Sequence, residues 1–136
     1  MLMYPPETVI AEKFEAMVRF GETNGRIKDF YDIWLTIRTF EFDLAVITSA
    51  VGGTFRRRET AIPTDVPAGL GAPFAMIAEE RGLWTGFLRR SPHSLIPPPF
   101  NDLQAELRRF FGPVINSLSN PEGATKRWNP NSGYWD

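Results

Sequence analysis

Apolar residues recur along the chain at the three- and four-residue spacing of helices with one buried face. In the first segment Ile10, Phe14, Met17 and Val18 form such a stripe. Pro5 and Pro6 suit its first turn, where a missing N–H costs no intrahelical bond, and Glu7 meets the positive end of the dipole. Gly21 and the Asn24-Gly25 pair stop it. A second stripe runs through Phe30, Ile33, Trp34 and Ile37 and closes at Phe40. The short polar connection predicts that these two helices are antiparallel neighbours. Asp43 suits the N-cap of a third helix, with Leu44, Ile47, Val51 and Phe55 on one side and Arg56, Arg57 and Arg58 in its last turn. Gly52 and Gly53 each weaken that helix by about 1 kcal/mol relative to alanine, which predicts close packing or a kink.

The stretch through Ile62, Pro63, Pro67, Gly69 and Gly71 reads as a connector. Pro73 opens a fourth helical stretch with Phe74, Ile77, Ala78, Leu83, Trp84, Phe87 and Leu88, and Gly82 weakens its centre. The run Pro97, Pro98, Pro99 excludes helix, and Asn101 or Asp102 is then a cap for a fifth stripe of Leu103, Leu107, Phe110 and Phe111. Gly112 and Pro113 predict a kink before Val114, Ile115 and Leu118. No solenoid repeat and no sustained strand-like alternation is visible. The expectation is an all-α single domain over residues 1–136, a bundle of about five helices. Its irregular tail holds Trp128, Tyr134 and Trp135, which are large enough to lie on the helices rather than in solvent.

Composition narrows the chemistry more than the fold. The 136 residues are 43% apolar and 23% charged, ordinary for one folded domain. A net charge of -1 argues neither for nor against nucleic acid, so any basic surface must come from local clusters such as Arg56 to Arg58. With no cysteine, disulfides, thiolate zinc sites and cysteine nucleophiles are excluded, and a single histidine, His93, excludes histidine-rich metal sites. Met1 to Thr8 has no basic leader and no long apolar run, so neither a signal peptide nor a membrane span is expected there; the expected location is the cytoplasm.

Two local features stand out. Lys13 falls inside the apolar stripe of the first helix, so its stem runs along buried surface. Its ammonium either snorkels to the edge or meets a partner. In the run Arg26-Ile27-Lys28-Asp29-Phe30-Tyr31-Asp32, Lys28 and Asp32 share a face opposite Phe30, Ile33 and Trp34, with Asp29 to one flank. The run reads as acids at a helix start on a solvated face, or as one side of a cleft toward which antiparallel packing carries Lys13. A cleft lined by lysine and carboxylates suits a nucleotide, although no P-loop and no dinucleotide fingerprint is present.

The segment from Glu7 to Ala16, with Ala11-Glu12-Lys13 at its centre, resembles a segment of the AbiEii-type nucleotidyltransferase toxins of bacterial toxin-antitoxin and abortive-infection systems. Arg26 to Asp32 is similar to that family's Arg-x-Lys-Asp-x-x-Asp motif. Thr54, Phe55, Arg58, Thr60, Ile62 and Pro63 resemble the close of its third helix, and Phe111 to Val114 and Trp128 to Trp135 resemble its end. The resemblance implies a C-terminal helical half. In the family an N-terminal half supplies a Gly-Ser pair followed by two magnesium-binding acids, and this sequence has no Gly-Ser pair. It further implies that Lys13 contacts a nucleoside triphosphate, and that Lys28, Asp29 and Asp32 complete the active site, with Asp32 or Asp29 as the essential acid. Arg26 and Arg58 are further candidates for phosphate or RNA contact. Full-length relatives use magnesium and a nucleoside triphosphate, some of them on transfer RNA, beside a cognate antitoxin. This chain alone is expected to be inactive, to bind no cofactor tightly, to contribute no metal ligand, and to self-associate through an uncovered apolar face. The alternative is a non-catalytic helical module for protein interaction or RNA binding.

Overall fold

The computed structural model describes residues 4–21, 26–90, 95–121 and 125–136. His93 and the Asn24-Gly25 pair lie outside them. Helix α1 spans Pro6–Phe20, with Pro at its first turn and Gly21 ending it at φ 56°. Helix α2 spans Ile27–Thr39 and α3 spans Leu44–Arg57. The Asp43 side chain accepts a hydrogen bond from the Ala45 N–H, which makes it the expected N-cap. α3 runs unbroken through Gly52 and Gly53. A Cβ on Gly52 would come 3.5 Å from Leu118 Cδ2, so the glycine marks where a later helix approaches closely.

The connector carries one short 3-10 turn, Ala68–Leu70, which buries Leu70. The buried Gln104 amide donates to the Gly69 carbonyl at 2.9 Å and so fastens the turn to the core. The fourth helical stretch is two helices, α4 (Ala72–Glu80) and α5 (Leu83–Arg90), divided at Gly82 with φ 61°. A left-handed residue cannot continue a helix, and glycine adopts that conformation without a Cβ clash. Helix α6, Phe100–Ser119, begins before the expected Asn101 or Asp102 cap. Phe100 is drawn into its first turn because its ring packs on Phe30, Phe74 and Trp84. α6 continues through Gly112 and Pro113, held by the buried face of Phe110, Phe111, Val114 and Ile115.

The tail departs from the expectation of irregular structure. Strands β2 (Arg127–Asn129) and β3 (Tyr134–Trp135) form a hairpin, and β2 pairs antiparallel with β1 (Phe42–Asp43), Phe42 opposite Trp128. Strands of two and three residues are too short to leave an alternating pattern. The aromatics do dock as expected, with Tyr134 the exception. Trp128 is buried and its indole N–H donates to the Ile37 carbonyl at 2.7 Å, while that of Trp135 donates to the Phe110 carbonyl at 3.0 Å. Tyr134 is exposed, with the Arg109 guanidinium over its ring.

The fold is thus all-α in its bulk, six α-helices with one three-stranded patch among the described residues. A single core joins them all, and α1 packs most extensively on α3 rather than on its sequence neighbour α2. No helix among the described residues is long and apolar enough to cross a membrane. Removing the Trp128 ring tests the docked tail: Trp128→Ala should cost about 3–5 kcal/mol by urea unfolding. A loss below about 1 kcal/mol, within the scatter of surface changes, would mean the tail contributes nothing to the core.

Candidate functional site

The rotation of α1 about its axis decides what its polar residues meet. Phe14 stacks on Phe111 of α6 at 4.0 Å between ring centroids and also meets Phe55 of α3. With Phe14 fixed inward, the residues on either side leave the helix about 100° to left and right. Lys13 therefore faces α2 and Glu15 faces the end of α3.

On the α2 side, Lys13 Nζ donates to Asp29 Oδ1 at 3.0 Å and to Asp32 Oδ2 at 3.1 Å. Asp29 and Asp32 are three apart and share the face of α2 that α1 covers. Arg26 Nε lies 3.0 Å from Asp29 Oδ2, an ion pair outside hydrogen-bond alignment, and Lys28 Nζ donates to Asp32 Oδ2 at 2.7 Å. Five of the six residues singled out in the sequence thus meet in one cluster of three cations and two carboxylates. Asp29 lies deeper than its expected place on the flank, with 8% of its side chain exposed, whereas Lys28 is 67% exposed. Burial by itself would lower the Lys13 pKa, but the hydrogen bonds and charges of Asp29 and Asp32 outweigh it and raise it above 10.5. Lys13 is an ammonium at any physiological pH.

On the α3 side lies a group that sequence reasoning missed. Glu15 is fully buried. Its Oε2 accepts from Arg19 Nε at 2.9 Å and from the Thr60 hydroxyl at 2.6 Å, while Oε1 accepts from Arg19 Nη2 at 3.3 Å and faces Arg58 Nε at 3.6 Å. Arg58, the sixth candidate, follows the last turn of α3 and donates from Nε to Glu12 Oε2 at 3.1 Å. It does not touch the Lys13 cluster. It nevertheless shares a cleft of about 470 Å³ with Lys13 and Arg26, lined also by Glu12, Glu15 and Arg19. The lining holds four cations and two carboxylates, and Asp29 and Asp32, paired with Lys13 and Arg26 behind it, offset two of those cations.

The donor set does not fit a magnesium site. Asp29 and Asp32 already face ammonium and guanidinium groups, and among the described residues no group of three His, Cys, Asp or Glu side chains could hold a metal ion.

Burial alone would raise the Glu15 pKa, yet the bonds from Arg19 and Thr60 and the charges of Arg19 and Arg58 prevail and hold it below 4.5. A depressed carboxylate contributes stability that is fully present above its unfolded value and is lost as pH falls through its folded value. Glu15→Gln should therefore cost about 1–3 kcal/mol at pH 7, because the buried amide cannot match the acceptors it replaces. Thermal melts of the two proteins should converge below pH 4.5; a gap that stays constant between pH 7 and pH 3 would show that the carboxylate is not stabilised in the fold.

The family described as "Nucleotidyl transferase AbiEii toxin, Type IV TA system" matches residues 1–106, a span that holds α1 to α5, the Lys13 cluster and the cleft. No curated protein and no solved structure matches the chain. With more than half its length covered, and with both motif-bearing helices inside that span, the chain belongs to the AbiEii nucleotidyltransferase toxin family.

Proposed function

We propose that this chain supplies the triphosphate-binding wall of a nucleotidyltransferase toxin's active site, with Lys13 as the phosphate contact. The observation that supports this most is the seating of the Lys13 ammonium on two aspartates at the edge of a cleft lined also by Arg19, Arg26 and Arg58. An ammonium has three N–H donors. Two are spent on Asp29 and Asp32, and the third makes no hydrogen bond among the described residues. A donor held rigidly in place need not reorganise when a phosphate arrives, the condition under which a fixed charge is most effective.

In this reading Asp29 and Asp32 are positioning residues that hold Lys13, and Arg26 and Lys28 balance their charge. Arg58 contacts phosphate from the opposite side of the cleft. Magnesium-binding carboxylates are not part of this wall; they belong to residues outside the 136 of this sequence, as does the Gly-Ser pair that the family resemblance implies. By itself the chain binds nucleoside triphosphates weakly and does not transfer nucleotides, and the antitoxin and any transfer RNA substrate engage the whole toxin. The uncovered apolar face expected from the sequence would then drive self-association, read by light scattering as mass rising with concentration. RNA binding through Arg56 to Arg58 is less well supported, because Arg57 pairs with Glu12 and Arg58 lines the cleft, which leaves no continuous basic patch there among the described residues.

The test is a titration of the chain with a nucleoside triphosphate, followed by nuclear magnetic resonance. Lys13→Gln should weaken binding at least about tenfold, since a hydrogen bond to a charged group contributes about 1.5–3 kcal/mol. Asp29→Asn and Asp32→Asn should weaken it less, by freeing Lys13 without removing it. Equal binding by wild type and Lys13→Gln would overturn the reading. Nucleotide incorporation by this chain without a second polypeptide would overturn the claim that the wall is incomplete.

A further inference from the structure

A cavity of about 560 Å³ opens between α4, α5 and the start of α6, and it shares no lining residue with the cleft beside Lys13. Met76 of α4, Trp84 of α5 and Phe100 of α6 give it apolar walls, the two rings 5.3 Å apart between centroids. Pockets of this size and lining take small molecules that a few polar groups orient. Two such groups are present, and both are acceptors. Gln104 is 1% exposed, and its Nε2 donates to the Gly69 and Gly71 carbonyls at 2.9 and 3.3 Å. Two carbonyls on one end of the amide identify that end as the nitrogen and turn the oxygen away from them. That Oε1 accepts no hydrogen bond among the described residues. It is not sealed in the core, as Thr48 Oγ1 is, but open to the cavity that Gln104 lines. Glu79 stands exposed at the rim, and its carboxylate makes no ion pair among the described residues. No lysine or arginine stands among the described residues of the lining, in contrast to the four cations around the other cleft.

We infer that this cavity binds a small aromatic amine, with its ring against Met76, Trp84 and Phe100 and its ammonium donating to Gln104 Oε1 and facing Glu79. A buried amide oxygen without a donor carries a desolvation cost that an arriving N–H removes, whereas a purely apolar ligand leaves it in place. An anion meets two acceptors and no cation. The site is independent of the Lys13 contact, and neither stands or falls with the other.

The experiment titrates the chain with tryptamine and follows its backbone amides by nuclear magnetic resonance. Tryptamine should shift the amides of α4, α5 and the first turns of α6. Tryptophol, which carries a hydroxyl in place of the ammonium, should bind about threefold more weakly, and indole-3-propionate more weakly still. N,N,N-Trimethyltryptammonium keeps the charge without an ammonium N–H and should lose about tenfold. Glu79→Lys replaces an attraction with a repulsion of about threefold each and should weaken tryptamine about tenfold. Glu80→Lys makes the same charge change at an exposed neighbour that does not line the cavity, and should leave binding within about twofold. Circular dichroism checks that both variants fold. Equal losses in Glu79→Lys and Glu80→Lys would overturn the site in favour of bulk charge. Equal binding of tryptamine and its trimethylated form would overturn it too, because the Gln104 oxygen would then accept nothing. Shifts confined to the residues around Lys13, or no shift at all, would overturn it and leave the Lys13 contact standing.

Discussion

The stack of Phe14 on Phe111 sets the rotation of α1, and the polar architecture of the chain follows from that rotation. Phe14 is fully buried between α3 and α6, and its near-parallel ring contact leaves the helix little freedom to turn. Ile10, Ala11 and Met17 are buried with it. Once that stripe is seated, Lys13 and Glu15 must leave the helix on opposite flanks. One flank meets α2 and its two aspartates. The other meets the loop after α3, with Thr60 and Arg58.

Two charged centres therefore lie on either side of one aromatic anchor, and each is balanced in a different way. At Lys13 a partly exposed ammonium is surrounded by carboxylates that are themselves paired with Arg26 and Lys28. At Glu15 a buried carboxylate is surrounded by three side chains from two segments, Arg19 of α1 and Arg58 and Thr60 of the loop after α3. Removing one partner of a buried charge leaves the other unpaired away from water, so each of these networks depends on all of its members being in place. The cleft between them, lined by Lys13, Arg19, Arg26 and Arg58 with Glu12 and Glu15, inherits their fixed geometry.

The helices were legible because each carries an apolar stripe at helical spacing, from Ile10 to Met17 through Leu103 to Phe111. Asp43 as a cap could be read for a similarly local reason, since its side chain satisfies an N–H two residues on, whereas Gly82 read only as a weak point within one helix and in the structure divides it by a left-handed turn. Lys13 stood out in the sequence because a cation inside an apolar stripe must find either water or a partner. Glu15 did not stand out. Its spacing to Arg19 is that of an ordinary surface ion pair, and nothing in the neighbouring residues says that the pair is buried.

What the sequence by itself determined is the set of helices, their buried faces and the two motif-bearing segments of α1 and α2, because these depend on residues within a turn or two of each other. Only the tertiary structure decided that Glu15 gathers Arg19, Thr60 and Arg58, and that Phe42 pairs with Trp128 to draw the tail into a small sheet. Most of those contacts join residues tens of positions apart and leave no periodic trace in the chain. They arise only when several stripes pack at once and the bulk of the aromatic rings fixes how far each helix is turned.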